Sequence, residues 1–145
     1  MLDLALAVFH HLLIFTLFGV LVVELMLVRP GMDAAAVRRA VGVDALYGLA
    51  AVLILAVGFG RAAMTAKGWD YYVHNGFFWA KIATFALIGL LSAPPTLLFI
   101  KARRAGAALS DAEVRKVRGL VQAELALFPL LLIFAAAMAR GYGSF

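Results

Sequence analysis

The side chains able to do chemistry in this chain fall into two sets. One is basic: His10, His11, Arg61, His74 and Lys81. The other is acidic: Glu24, Asp44 and Glu124, with Tyr47, Thr96 and Gln122 at similar depth. Imidazole nitrogens in a helix bundle are a usual means of holding haem b as axial ligands. Haem also carries two propionates, natural partners for Arg61 and Lys81. His10, His11 and His74 equally suit zinc or copper, although no HxxxH or HxH pair stands on one helix. Glu24, Asp44 and Glu124 suggest a cation or proton path; the competing assignment pairs the glutamates with Arg29 and Arg118. No cysteine is present, so disulfides, thiolate metal sites and cysteine nucleophiles are excluded. No serine stands near a histidine and an acid, and no glycine-rich phosphate loop appears.

These residues must be positioned by membrane helices. The chain has 145 residues, 66% of them hydrophobic and only 14% charged, with a mean hydropathy of +1.01. A soluble domain holds roughly 45–50% apolar and about 25% charged residues, and a chain this short has little interior in which to hide the excess. The excess must face lipid. A water-soluble enzyme, a nucleic-acid-binding domain and a disordered chain are thereby excluded. A membrane-crossing helix needs about 20 mainly apolar residues, and four segments qualify: 4–28, 43–65, 76–100 and 119–139. The reading is all-α: one integral membrane four-helix bundle over residues 1–145. Asp3 in place of a basic n-region, a long apolar run and no small-residue cleavage site mark the first segment as a retained helix. Asp44 serves as a cap or first-turn acid of the second span. Asn75-Gly76 precedes the third, and Ser110-Asp-Ala-Glu113 is a capping-box pattern that starts the fourth helix near Asp111.

Charge sets the orientation. Arg29, Arg38 and Arg39 lie in the 29–42 loop, and Lys101, Arg103, Arg104, Arg115, Lys116 and Arg118 in the 101–118 loop. The 66–75 loop has Lys67 alone, opposed by Asp70. Basic loops favour the cytoplasm, so both termini are expected in the periplasm of a cytoplasmic (inner) membrane protein. Trp69, Tyr71 and Tyr72 fit the outer aromatic belt. The basic set then falls in the outer half of the bundle and the acidic set in the inner half. His74 and Lys81, seven apart, share a helix face. Adjacent His10 and His11 point about 100° apart, so one faces the interior. For Lys81 the competing reading is snorkelling to headgroups; for His74 it is a cap of the third span. Glycines 19, 42, 48, 58, 60 and 89 permit close helix approach. Pro94-Pro95 and Pro129 should break or kink their helices.

The runs HHLLIFTLFGVLVVELMLVRPG, VDALYGLAAVLILAVGFGR and KGWDYYVHNGFFWAKIATFALIGLLSAPPT, with the final AELAL and MARG stretches, resemble a family of small bacterial four-helix membrane proteins, domain of unknown function 2214. The family implies a fold and no activity. A more distant likeness is to HemJ-type protoporphyrinogen oxidases and CopD-type membrane domains. It implies that His10 or His11 matches their first-helix haem ligand, and that Lys81 matches the lysine of their third-helix H-x-K motif. Trp79 stands where that motif has its histidine, leaving His74 as the stand-in.

The reading these residues favour is a membrane-embedded haem b- or porphyrin-binding redox protein linked to quinone. The cofactor residues would be His10, His11, Arg61, His74 and Lys81. The alternatives are a small-ion or metal transporter using Glu24, Asp44 and Glu124, expected as a homodimer, and an accessory membrane subunit without chemistry. The lipid bilayer is the expected partner, and nucleic acid is not.

Overall fold

The computed structural model describes residues 1–64 and 68–145. Thr65 and Lys67, read above as span end and outer-loop cation, lie outside the described residues. The chain forms α1 (Leu2–Leu27), α2 (Ala34–Met64), the short α3 (Gly68–Val73), α4 (Gly76–Ala105) and α5 (Asp111–Ala139). Helices α1, α2, α4 and α5 are each long and apolar enough to cross a membrane. Helix α1 packs chiefly on α2 and α4 on α5, and the two hairpins meet through α2 with α4 and α1 with α5. This closes a four-membered ring.

Packing follows a repeat of three and four residues. Val114, Val117, Val121, Glu124 and Phe128 form the buried stripe of α5. On α1, Leu13, Leu17, Leu21, Glu24 and Val28 do the same. Leu4, Phe15, Met26, Leu90, Leu97 and Leu132 point outward and are exposed, as a surface solvated by acyl chains requires. The acids Glu24 and Glu124 thus occupy core positions.

The helices overrun the segments read from hydropathy. Helix α2 has 31 residues, about 46 Å at 1.5 Å per residue, against a hydrocarbon layer of roughly 30 Å. The surplus lies at one end: α2 begins at Ala34 rather than 43, α4 continues to Ala105 and α5 begins at Asp111. Those extensions carry Arg38, Arg39, Lys101, Arg103, Arg104, Arg115 and Lys116, all exposed. A hydropathy window ends where charge begins; a helix does not. The cap of α2 is Asp33, whose Oδ1 accepts the Ala36 N–H at 2.7 Å. Asp44, read above as cap or first-turn acid, is ten residues inside the helix (44 − 34 = 10) and buried. The Ser110–Glu113 capping box forms as read.

Neither proline site breaks its helix: α4 runs through Pro94 and Pro95, and α5 through Pro129. Near the first pair, Ser92 Oγ donates to Gly89 O at 2.8 Å, and Thr96 Oγ1, 3.0 Å from Ser92 O, shares its one proton between that carbonyl and Asp44 Oδ1 at 2.7 Å. Such hydroxyls, with neighbouring helices, are what lets a membrane helix tolerate proline.

The 65–75 connection carries helix α3, and its end is clasped by the C-terminal residues. Asn75 is fully buried. Its Oδ1 accepts Phe77 N–H and Phe78 N–H, capping α4, while Nδ2 donates to Tyr142 O at 2.9 Å and Ser144 Oγ at 3.4 Å. Gly76 N–H donates to Gly143 O and Phe145 N–H to His74 O. Gly143 has φ +78°, and a Cβ there would lie 2.6 Å from the Phe77 ring. Only glycine allows this approach. Asn75→Ala removes cap and clasp together and is expected to cost about 2 kcal/mol of stability, read as a lowered unfolding temperature in detergent, with the tail beyond Ala139 becoming protease-sensitive.

Candidate functional site

The half of the bundle toward the 28–33 and 106–110 turns gathers three carboxylates from three helices. Glu24 on α1 is 2% exposed, Asp44 on α2 is 7% and Glu124 on α5 is 1%. Each stands at a core position of its stripe, and Tyr47 follows Asp44 by three residues on the same face. The Tyr47 hydroxyl donates to Glu124 Oε2 at 2.9 Å, and Thr96 Oγ1 on α4 donates to Asp44 Oδ1 at 2.7 Å. Asp44 and Glu124 both lie within electrostatic reach of Glu24. Glu124 Oε1 is buried without a hydrogen-bond partner.

Among the described residues, none of these acids is ion-paired. Arg118, the cation that sequence offered to Glu124, is spent elsewhere: its Nη1 donates to Leu25 O at 2.8 Å and Val28 O at 2.6 Å. It satisfies carbonyls at the C-terminal end of α1, where a positive charge is favoured. Arg29 is exposed. Three carboxylates without a cation repel one another unless a proton or cation sits among them.

A groove of about 380 Å³ opens beside this cluster, between α2 and α4. Asp44, Tyr47, Ser92 and Thr96 give it a polar floor, with Gly48, Ala51, Phe85 and Gly89 among its walls. Ser92 is the groove residue that the sequence reading did not single out.

The half toward the chain termini gathers nitrogen bases from α1, α2 and α4. His10 turns toward α2, where a Cβ at Gly58 would lie 3.3 Å from its Cε1; the glycine makes room for the ring. Lys81 and Arg61 both lie within electrostatic reach of His10. His10 Nδ1 and Arg61 Nε are buried without hydrogen-bond partners. Arg61 Nη2 reaches Asp3 Oδ1 at 3.8 Å, and Lys81 Nζ lies 5.8 Å from the centroid of the Phe78 ring.

The other two histidines are exposed: the His11 ring lies edge-on to the His10 ring with centroids 6.4 Å apart, and both bond within their own segments. His11 is exposed and its Nδ1 contacts Ala7 O at 2.6 Å, an interaction within its own helix. His74 is exposed, and its Nδ1 contacts Asp70 O at 2.9 Å and Asp70 Oδ1 at 3.3 Å. Asn75, not His74, caps α4. Among the described residues no three His, Asp or Glu side chains are grouped so as to hold a metal ion. So, among the described residues, neither His10, His11 and His74 nor Glu24, Asp44 and Glu124 form a group that could hold a metal ion.

Four apolar helices with this polar interior match a known membrane-protein family over almost the whole chain. The chain belongs to the family described as predicted membrane protein (DUF2214), whose model matches residues 2–143. No curated protein and no solved structure matches it.

The Tyr47–Glu124 contact joins α2 to α5 across the interior. Tyr47→Phe leaves Glu124 Oε2 buried without its donor, with an expected loss of about 1–3 kcal/mol. Adding Glu124→Leu removes the stranded acceptor, so the double variant should lose less than the sum of the two single changes. Thermal unfolding of all four proteins in detergent measures both effects.

Proposed function

We propose that this DUF2214 protein is a membrane-embedded carrier or conduit for a small monovalent cation, the proton first among them, working through Glu24, Asp44 and Glu124. The observation that carries the reading is Glu124: 1% exposed, one oxygen held by Tyr47, the other without a partner and, among the described residues, no ion pair to it or to the acids around it. An ionisable group inside a membrane helix is costly to place and marks ion pathways and proton relays. The carboxylates are not grouped as a metal shell, which favours the proton over a coordinated divalent ion. In this reading the basic loops face the cytoplasm of an inner-membrane protein with periplasmic termini. A homodimer would supply the walls that four helices alone leave thin.

The test is flux into proteoliposomes under an imposed potential, followed with an internal pH dye. Wild-type protein is expected to dissipate the gradient, and Glu124→Gln and Glu24→Gln to slow it at least tenfold. Rates equal to those of protein-free liposomes, or unchanged in both variants, overturn the reading.

A second reading keeps haem b or a porphyrin, exchanging electrons with quinone. Its support is the pair of buried, unpartnered nitrogens on His10 and Arg61, with Lys81 close by. His10 would be an axial ligand, and Arg61 and Lys81 would hold propionates. A bound haem would supply one-electron chemistry. The fit is partial: His74 contacts Asp70 at the surface, and the groove lies beside Asp44, not His10. Spectra of the detergent-purified protein before and after dithionite decide it. A Soret band that shifts on reduction and is lost in His10→Ala supports haem; no band, with no shift on added hemin, removes it.

A further inference from the structure

We infer that the α2–α4 groove binds a lipophilic organic cation, a quaternary ammonium or phosphonium class of ligand, drawn from the bilayer onto the carboxylate cluster. This rests on the carboxylates being the working site, and it names a substrate class for them. The groove's volume of about 380 Å³ falls in the range of small-molecule sites, roughly 300–1,000 Å³. It opens on the side of the bundle, where Leu49, Val52, Leu87 and Leu90 are exposed, so its approach is through lipid.

The floor is acidic: among the described residues Asp44 makes no ion pair. Asp44 lines it, and behind Tyr47 lies Glu124, 1% exposed, with a carboxylate oxygen that no donor meets. That free oxygen and the groove are separate observations pointing the same way. Three His, Asp or Glu side chains are nowhere grouped to strip and coordinate a metal ion among the described residues. A cation with diffuse charge and apolar substituents needs no such shell. It gains long-range attraction from the carboxylates, apolar contact with walls such as Ile88 and Ala51, and aromatic faces from Tyr47 and Phe85. Arg103, at the cytoplasmic rim of the groove, repels cations from that end and leaves the bilayer side as the route in.

The experiment is equilibrium dialysis of tetraphenylphosphonium against the detergent-purified full chain, with tetraphenylborate as a probe of similar shape and opposite charge. Saturable tetraphenylphosphonium binding is expected, with tetraphenylborate failing to compete. Asp44→Asn should weaken it about tenfold. So should Gly48→Leu, which fills the groove at a position where a Cβ meets nothing within 4 Å and leaves the carboxylates in place. No saturable binding, equal competition by tetraphenylborate, or affinity unchanged in both variants overturns the inference. A change of oligomeric state in Gly48→Leu, without binding in the wild type, assigns the groove to a second copy and overturns it too. Cation flux without tetraphenylphosphonium binding defeats this inference alone; binding without flux upholds the site and defeats the conduit.

Discussion

Burying carboxylates from three helices in a lipid-facing bundle is the constraint on which the rest of the structure turns. Bulk solvent would screen such charges and an arginine would neutralise them, but Glu124 is 1% exposed and, among the described residues, none of the three acids is ion-paired. What the interior offers is one hydroxyl to Glu124 and one to Asp44. Those donors come from α2 and α4, while the acids come from α1, α2 and α5. Every long helix therefore contributes, and the two hairpins are tied across the ring by polar contacts as well as by apolar packing. The arrangement is polar glue of the kind membrane bundles use, but with more acceptors than donors.

The cations that could have neutralised this cluster are committed at the ends of the bundle or kept outside it. Arg118 closes the carbonyl end of α1, and Arg29, Arg38, Arg39 and Arg103 are exposed. Arg61 and Lys81 sit in the half toward the termini with His10. Inside the bundle the ionisable groups are thus sorted along its axis, bases toward the termini and acids toward the short 28–33 and 106–110 turns, whose exposed surface is basic. At the terminal end Asn75 ties α4 to the C-terminal residues, so the basic group is framed by that clasp and the acids by helix hairpins. The seam between α2 and α4 lies between these fixed points, and there the groove opens.

Much of this was legible in the sequence. Four spans, the start of the third at Gly76 and the Ser110 capping box follow from apolar length and cap chemistry, both local properties. The depth sorting of bases and acids follows from the same spans. Other features needed more than hydropathy. Asp44 reads as a helix start because a hydropathy window ends at charge, yet it lies on the stripe of Val37, Val41 and Tyr47. Spacing of three and four would have placed it in the core, as it places Glu24 after Leu21 and Glu124 after Val121. The choice between His10 and His11 depends on which ring finds a glycine opposite, and Gly58 belongs to another helix. Arg118 was out of reach for the same reason: its partners are backbone carbonyls, which no side-chain pattern reveals. Pro94 and Pro95 mislead because a proline's cost depends on what neighbouring hydroxyls and helices supply, and here Ser92 and Thr96 bond carbonyls beside them.

The histidines show why a residue inventory and a site are different things. Three imidazoles on one side of a membrane bundle read as a ligand set, but two of the three are settled by a nearby backbone carbonyl. His11 is engaged by Ala7 O and His74 by Asp70 O, both within their own segments. Only His10 has its Nδ1 buried and unbonded, and it faces cations. The carboxylates behave in the opposite way. They are scattered in sequence, at 24, 44 and 124, yet the helix repeat turns all three inward. Chemistry in this fold is therefore better sought where unsatisfied groups from different helices meet than where similar residues cluster in the sequence. By that criterion the inner acids, with a free buried oxygen and an adjoining groove, are the stronger site.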